Sequence, residues 1–348
     1  MVALGVAGTG GMAEYHVKKF RALEGVTIAA CKDRNWDHAE AFSQRFKIPW
    51  FFTSIDDLLA SQVCSAFSCA VIDSHHRELC QAVLEYGLPV FCEKPLTRTV
   101  GDSQFLADLA RKKGVPTMVN FSKRNAPALG ALKDLIDQGD TGALVSVEAE
   151  YLQSWVITKV WGDWETVPRW KWRLSPKEST AGVIGDLGSH LVDALVYLFG
   201  DLRIAEDDPG SLVSLEYALG RRFSGDFVNW GNTVCVDRRA SFVLGDGTPV
   251  AFRVSWVEPG ALDDFRITVN FERGTACLDL SKSREGIEYE SALDHRIRFF
   301  RGKAVRSTYE TFIDLCSSPT SRVVGDLNFD HALRIQRILD TLVPGGIA

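Results

Sequence analysis

Over the first third of the chain, apolar runs alternate with amphipathic stretches. Val2–Ala7 is a continuous apolar run that predicts a buried strand, and the glycine turn after it opens a helical pattern through Phe20 and Leu23. Residues 26–30 repeat the strand pattern and Trp36–Phe46 the helical one. Short apolar runs return at 64–70, 89–92 and 116–121, with helical patterns at 77–86 and 102–112 between them. Strands alternating with helices predict a parallel sheet covered on both faces, so residues 1–121 read as an α/β doubly wound domain of the Rossmann type.

The rhythm changes after Arg124. Pro127–Gln138 predicts a helix, Leu144–Leu152 alternates like a strand, and a tryptophan-rich loop holds Trp155, Trp161, Trp164, Trp170 and Trp172. Residues 184–199 predict one strong helix ending at Gly200 in the left-handed position. Strand-like segments follow from 212 to 289, among them 248–257 and 265–271, and helices return at 309–316 and 327–342. Residues 122–348 therefore read as an α+β domain with a large, mostly antiparallel sheet, its last helix (about 327–342) packing back on the first domain.

Composition narrows the class. A chain of 348 residues is long enough for two cores. A net charge of -6 and the lack of a basic run argue against a nucleic-acid partner. The basic cluster Arg296, Arg298, Arg301, Lys303 and Arg306 is interleaved with apolar residues, as on the exposed side of a strand or loop. None of the eight cysteines sits in a C-x-x-C pair, and several lie in apolar runs where a buried thiol is at home. With a strand starting at Val2 and no apolar stretch of membrane-spanning length, the expectation is a cytoplasmic protein with no membrane partner and reduced thiols.

Gly8, Gly10 and Ala13 fill the three small-residue positions of a dinucleotide-binding turn, with Thr9, Gly11 and Met12 between them. The turn follows a strand, opens a helix, and is followed twenty residues after Ala13 by Asp33, placed to accept hydrogen bonds from a ribose diol. That acid favours NAD, while Lys32 and Arg34 beside it leave NADP open. Lys94, in Cys92-Glu93-Lys94-Pro95, ends an apolar strand, where doubly wound sheets place ligands. An ammonium there can hydrogen-bond a substrate oxygen and stabilise developing alkoxide charge, although a surface lysine before a turn proline would look the same.

Asp186, His190 and Asp193 share one face of the predicted helix, and a histidine beside carboxylates suits proton transfer. Holding that face as a core edge is the plainer alternative. A metal site is not expected, because no third strong ligand group is near. Trp172 and Arg173, just before this helix, are placed either to meet a sugar ring and its hydroxyls or to pack an interface.

Taken together, Gly8-x-Gly10-x-x-Ala13, Ala30-x-x-Asp33-Arg34, Glu93-Lys94-Pro95, Trp172-Arg173-Leu174 and Asp186-x-Gly188-x-His190-x-x-Asp193 resemble the glucose–fructose oxidoreductase / inositol dehydrogenase / rhizopine catabolism (Gfo/Idh/MocA) family over essentially the whole chain. The resemblance implies an NAD(P)-dependent oxidoreductase moving a hydride between the nicotinamide and a secondary hydroxyl or carbonyl of a sugar, cyclitol or related polyol. It implies catalytic roles for Lys94, Asp186 and His190, with the histidine taking the hydroxyl proton and the lysine orienting the substrate. Glu93 and Asn120 join the cofactor residues by the same resemblance, and Arg124, Trp172, Arg173 and Asp193 the substrate side. It also implies a homodimer or homotetramer formed through the second domain's sheet. One segment departs from the family pattern: many members carry Thr-Pro-Asn where this chain reads Val71-Ile72-Asp73, although His76 is kept. Two alternatives stand beside the dehydrogenase: a family-related hydrolase using tightly held NAD, and a non-catalytic nucleotide sensor.

Overall fold

The computed structural model describes residues 1–174, 179, 182–206, 208, 210–220, 234–317 and 327–343. The chain forms two compact units, one of Met1–Phe121 with Arg306–Gln336 and one of Ser122–Val305 with Arg337–Ala348. The return of Arg306–Gln336 to the first unit differs from a second domain running unbroken over 122–348.

The first unit is built on β1 (Val2–Ala7), β2 (Val26–Lys32), β3 (Trp50–Phe52), β4 (Ala66–Cys69), β5 (Val90–Cys92) and β6 (Thr117–Val119). All pairings are parallel and the order is β3-β2-β1-β4-β5-β6. That order reverses between β1 and β4, the switch point where such sheets bind ligands beyond their carboxyl ends. β4, β5 and β6 are buried at every position, which is why they read as largely apolar runs, with Ser68 and Thr117 the polar positions. The covering helices are α1 (Gly11–Arg21), α2 (Trp36–Phe46), α3 (Ile55–Ala60), α4 (His76–Glu85) and α5 (Val100–Lys113). Local caps set their ends: the Asn35 side chain accepts from His38 N–H at 3.0 Å, and Gly114 closes α5 in the left-handed conformation. β3 and α3 escaped the pattern reading because they are short and β3 lies at the sheet edge, with Trp50 56% exposed. The returning segment contributes a helix, Thr308–Ser317, against α1 and β1. Its Tyr309 and Phe312 close an aromatic core with Phe20 and Phe91, ring centroids 5.0–6.2 Å apart.

The second unit holds a nine-stranded sheet made of β7 (Leu144–Leu152), β8 (Leu202–Ile204), β9 (Leu212–Ser214), β10 (Cys235–Leu244), β11 (Pro249–Ser255), β12 (Asp264–Phe271), β13 (Gly274–Asp279), β14 (Gly286–Ser291) and β15 (Ile297–Arg301). The main path is β15-β14-β13-β12-β7-β11-β10-β8, with β9 also on β10, and only β7 with β11 is parallel among these pairs. β12 alternates half-buried and buried positions along its length, as a sheet with two unlike faces requires. β15 is an edge strand exposed at every position, with Arg298 and Arg301 on it as their spacing suggested. The expected strand run from 212 to 289 includes 221–233, which lie outside the described residues.

One expected element needs correction. Residues 184–199 are not a single α-helix: Ile184–Gly188 is a π-helical turn, and Ser189–Phe199 is the α-helix that follows. Gly185 and Gly188 weaken the α-helical preference within that turn, and π-turns concentrate where side chains must be re-aimed. Gly200 does stop the helix with positive φ, but at φ 83 and ψ -113 it lies outside the left-handed helical region.

Candidate active site

The glycine turn is shaped for an anion. Gly8 adopts φ +98, and a Cβ there would sit 2.6 Å from the Ala70 carbonyl oxygen, so no other residue fits without moving β4. At Gly10 and Gly11 an added Cβ would meet nothing within 4 Å, which leaves open space before the helix. Gly10 is the N-cap of α1 and no side chain caps it, so the first-turn N–H groups face outward at the positive end of the helix dipole. Met12 is 41% exposed beside this opening, while Ala13 is fully buried where helix and strand approach.

Asp33 follows β2 at the next strand end. Thr9 Oγ1 donates to its Oδ2 at 2.6 Å, and Asn35 N–H donates to its Oδ1 at 3.0 Å, so the carboxylate is aimed before any ligand arrives. Lys32 is buried, and burial lowers its pKa against the pull of Asp33. Arg34 is exposed. Of the two cations flanking Asp33, only Arg34 has the freedom to meet a 2′-phosphate.

Glu93 and Lys94 follow β5. The Glu93 carboxylate lies in a closed network: His16 Nε2 is 2.8 Å from Oε1, and Asn120 Nδ2 donates to the same oxygen at 2.7 Å. The far side of each partner is held too. His16 Nδ1 lies 2.8 Å from Ser68 Oγ, Asn120 Nδ2 lies 3.1 Å from the Tyr309 hydroxyl, and Thr308 Oγ1 donates to Asn120 Oδ1 at 2.9 Å. Burial would raise the Glu93 pKa, but the His16 hydrogen bond and charge, with Asn120 and Lys94, bring it down to about 2. The other oxygen, Oε2, accepts from the Lys94 backbone N–H at 3.3 Å. Lys94 is half-buried, and its peptide bond to Pro95 is cis.

The segment that departs from the family pattern forms a short 3-10 turn, Asp73–His75, ahead of α4. His76 is fully buried, with Nδ1 3.0 and 3.2 Å from the carbonyl oxygens of Pro95 and Leu96 and Nε2 3.1 Å from that of Val71. Both nitrogens face acceptors only, an arrangement complete when both carry hydrogen. Burial opposes that charge, yet the Cys69 and Asp73 charges and the carbonyls raise the His76 pKa. His76 thus ties the reshaped loop to the chain just after Lys94.

In the second unit, His190 is buried at the start of the helix Ser189–Phe199, its ring centroid 6.3 Å from that of Tyr151. Asp186, in the π-turn, faces Arg173 at 3.5 Å. Arg173 in turn lies over the Trp172 ring at 4.4 Å and the Trp170 ring at 5.1 Å. Asp193 is fully buried and accepts from both Nε (2.8 Å) and Nη2 (2.9 Å) of Arg124, whose guanidinium covers the Tyr197 ring at 4.0 Å. Arg124 and Asp193 therefore form a bidentate ion pair. Trp155 stacks on Trp161 at 6.2 Å, lies tilted to Trp170 at 6.1 Å and meets Trp256 edge-on at 5.1 Å, while buried Trp164 donates from Nε1 to the Val156 carbonyl at 2.8 Å.

Two groups escaped the sequence reading. His16 meets Glu93 directly, Ser68 holds His16, and Thr308 and Tyr309 hold Asn120, all from distant parts of the chain and with no local sequence signal to link them. The other is Asp263, which accepts from Lys123 Nζ (3.0 Å), Tyr151 Oη (2.5 Å) and Gln153 Nε2 (2.9 Å). Burial would raise the Asp263 pKa, but the Lys123 ammonium and these hydrogen bonds hold it below its usual value, while burial and Asp263 push the Tyr151 phenol up. Among the described residues, no helix is long and apolar enough to cross a membrane.

A doubly wound nucleotide fold joined to a large open sheet places the chain in a recognised class. Residues 2–121 match the family described as the oxidoreductase family, NAD-binding Rossmann fold, and residues 130–277 match the GFO/IDH/MocA C-terminal domain. The chain belongs to the Gfo/Idh/MocA oxidoreductase family. Among its relatives, a levoglucosan dehydrogenase of Pseudarthrobacter phenanthrenivorans is 33% identical over 128 residues, 36% of this chain and 30% of that protein. A glucose-6-phosphate 3-dehydrogenase of Bacillus subtilis is 26% identical over 204 residues, 57% of this chain and 54% of that protein. The matched segments thus span about a third and a half of those two relatives. A solved levoglucosan dehydrogenase in complex with NADH and levoglucosan shares the fold at TM-score 0.81 and 18% identity, covering 98% of this chain and 96% of that one.

Proposed function

We propose that this protein is an NAD-dependent dehydrogenase acting on a secondary hydroxyl of a sugar, cyclitol or anhydrosugar. The observation that carries the reading is the buried link from His16 on the glycine-turn helix through Glu93 to the Lys94 backbone. The helix that would hold the pyrophosphate and the strand end that presents the lysine are thereby set by one carboxylate.

The residues present fit the dinucleotide: open space at Gly10 and Gly11, uncapped N–H groups of α1, and the pre-aimed Asp33 carboxylate for a ribose diol. Bound NAD would supply the hydride acceptor at its nicotinamide ring. Lys94 hydrogen-bonds the substrate oxygen through Nζ and offsets its growing negative charge. A ring nitrogen of His190 takes the hydroxyl proton, and Asp186, held by Arg173, favours the imidazolium that results. The preference for NAD rests on Asp33 repelling a 2′-phosphate. The names of the relatives place levoglucosan, glucose 6-phosphate and inositol among the first compounds to try.

The test is NADH formation from NAD across cyclitols, aldoses, ketoses and anhydrosugars, with Lys94→Ala run in parallel. A signal on one class that the variant loses supports the dehydrogenase and names the class. A signal equal in both proteins removes Lys94 from the chemistry. Silence across the panel, with NAD retained through purification, transfers the reading to an NAD-dependent hydrolase or a sensor.

A further inference from the structure

Below the strand ends that carry the Val71 loop and Lys94, three thiols converge. Cys69 ends β4 and Cys92 ends β5, and the two are partners in the parallel register, so their side chains leave the sheet on the same face. Cys80 comes from α4, which packs on both of those strands. Each residue is at most 1% exposed, and the three Sγ atoms all lie within 4.8 Å of one another. A core position asks only for a small apolar side chain, which alanine or valine supplies equally well. Packing alone does not require three sulfurs to meet at a point.

We propose that Cys69, Cys80 and Cys92 form a binding site for a single copper(I) ion. Thiolates select soft ions, chiefly copper(I), zinc and iron–sulfur clusters. Structural zinc takes four ligands in a tetrahedron, and iron–sulfur clusters also require four protein ligands. His76, one turn before Cys80 on α4, does not supply the fourth, because its Nδ1 and Nε2 are both engaged with backbone carbonyls. A set of three sulfurs matches the three-coordinate geometry that copper(I) accepts. Binding involves no change of oxidation state: each sulfur that bonds as a thiolate and still carries a proton gives that proton to solvent, and the single positive charge of copper(I) offsets one thiolate charge. Its location gives it a consequence. An ion there would clamp the ends of β4 and β5 to α4, one residue before Glu93 and two before Lys94.

The experiment is anaerobic loading of the full chain with copper(I), removal of loose metal on a desalting column in the presence of a copper(I) chelator, and counting of copper per chain. X-ray absorption at the copper edge then reads the ligand atoms. The expected result is one retained copper with three sulfur neighbours, a rise in melting temperature on loading, and loss of both in Cys80→Ala. Cys277→Ala, outside the cluster, should retain its copper. If Cys80→Ala does not fold, Cys92→Ser is read in its place, and the ligand count of the wild-type protein stands as a result on its own. No retained copper, undiminished copper in a folded Cys80→Ala, nitrogen or oxygen neighbours, or zinc held in preference to copper would each overturn the site. None of these outcomes depends on the dehydrogenase reading.

Discussion

The His16 imidazole and the Glu93 carboxylate, 77 residues apart, meet at 2.8 Å in the interior of the first unit. This joins α1, whose N-terminus after the glycine turn has no side-chain cap, to the residue before Lys94. His16→Ala should lower kcat by about 10-fold or more through displacement of Lys94. His16→Gln, which retains a donor for Glu93, should recover part of that loss. Steady-state kinetics of the two variants decide it; equal losses would point to packing alone.

Lys94→Ala should reduce turnover by at least about 100-fold and leave NAD affinity little changed. The proposed role puts its contribution in the reaction rather than in cofactor capture. Turnover together with fluorescence titration of NADH separates the two, and a weakened NADH complex with normal kcat would refute this role.

His190→Ala should fall by a similar factor, with activity partly regained as pH rises, because hydroxide then replaces the missing base. A pH–rate profile of wild type and variant checks this. A variant whose rate is flat and low across the alkaline range would remove His190 as the base.

Asp33→Ser should weaken NAD binding and improve NADP binding, since it removes the carboxylate that Thr9 and Asn35 aim and leaves exposed Arg34 free to meet a phosphate. The ratio of kcat/KM for the two cofactors is the readout. An unchanged ratio would show that other residues set the preference.

Acid stability should depend on Glu93. Its folded pKa is depressed to about 2 from an ordinary value of 4.5, so the stabilisation is present above 4.5 and is lost as pH falls toward 2. Glu93→Gln should be less stable at neutral pH and show a flatter decline over that window. Urea midpoints measured from pH 7 downward test it, and parallel acid limbs in the two proteins would contradict the assignment.

Cutting the Arg124–Asp193 pair should cost more stability than a surface ion pair. Asp193 is fully buried, so Arg124→Ala leaves a carboxylate without its bidentate partner, at a cost of about 3–5 kcal/mol. Chemical denaturation supplies the number. A loss below about 1 kcal/mol would mean that solvent reaches the carboxylate in the variant.

By itself the sequence determined the alternation that builds the parallel sheet and the small residues at Gly8, Gly10 and Ala13. Those features are local: burial on both faces demands largely apolar runs, and a tight turn against Ala70 demands glycine. It also marked Asp33, Lys94, Asp186 and His190, because each stands at a strand end or helix start whose pattern is written in its neighbours. What it could not carry were relationships between residues far apart in the chain. Only folding joins His16 and Tyr309 to Glu93 and Asn120, pairs Arg124 with Asp193, and gathers Cys69, Cys80 and Cys92 into one cluster. The π-turn at Ile184–Gly188 belongs with these, since a helical periodicity of apolar residues does not distinguish one helical hydrogen-bond pattern from another over five residues. Periodicity records which face of an element is buried; the partner that buries it is chosen by the whole fold.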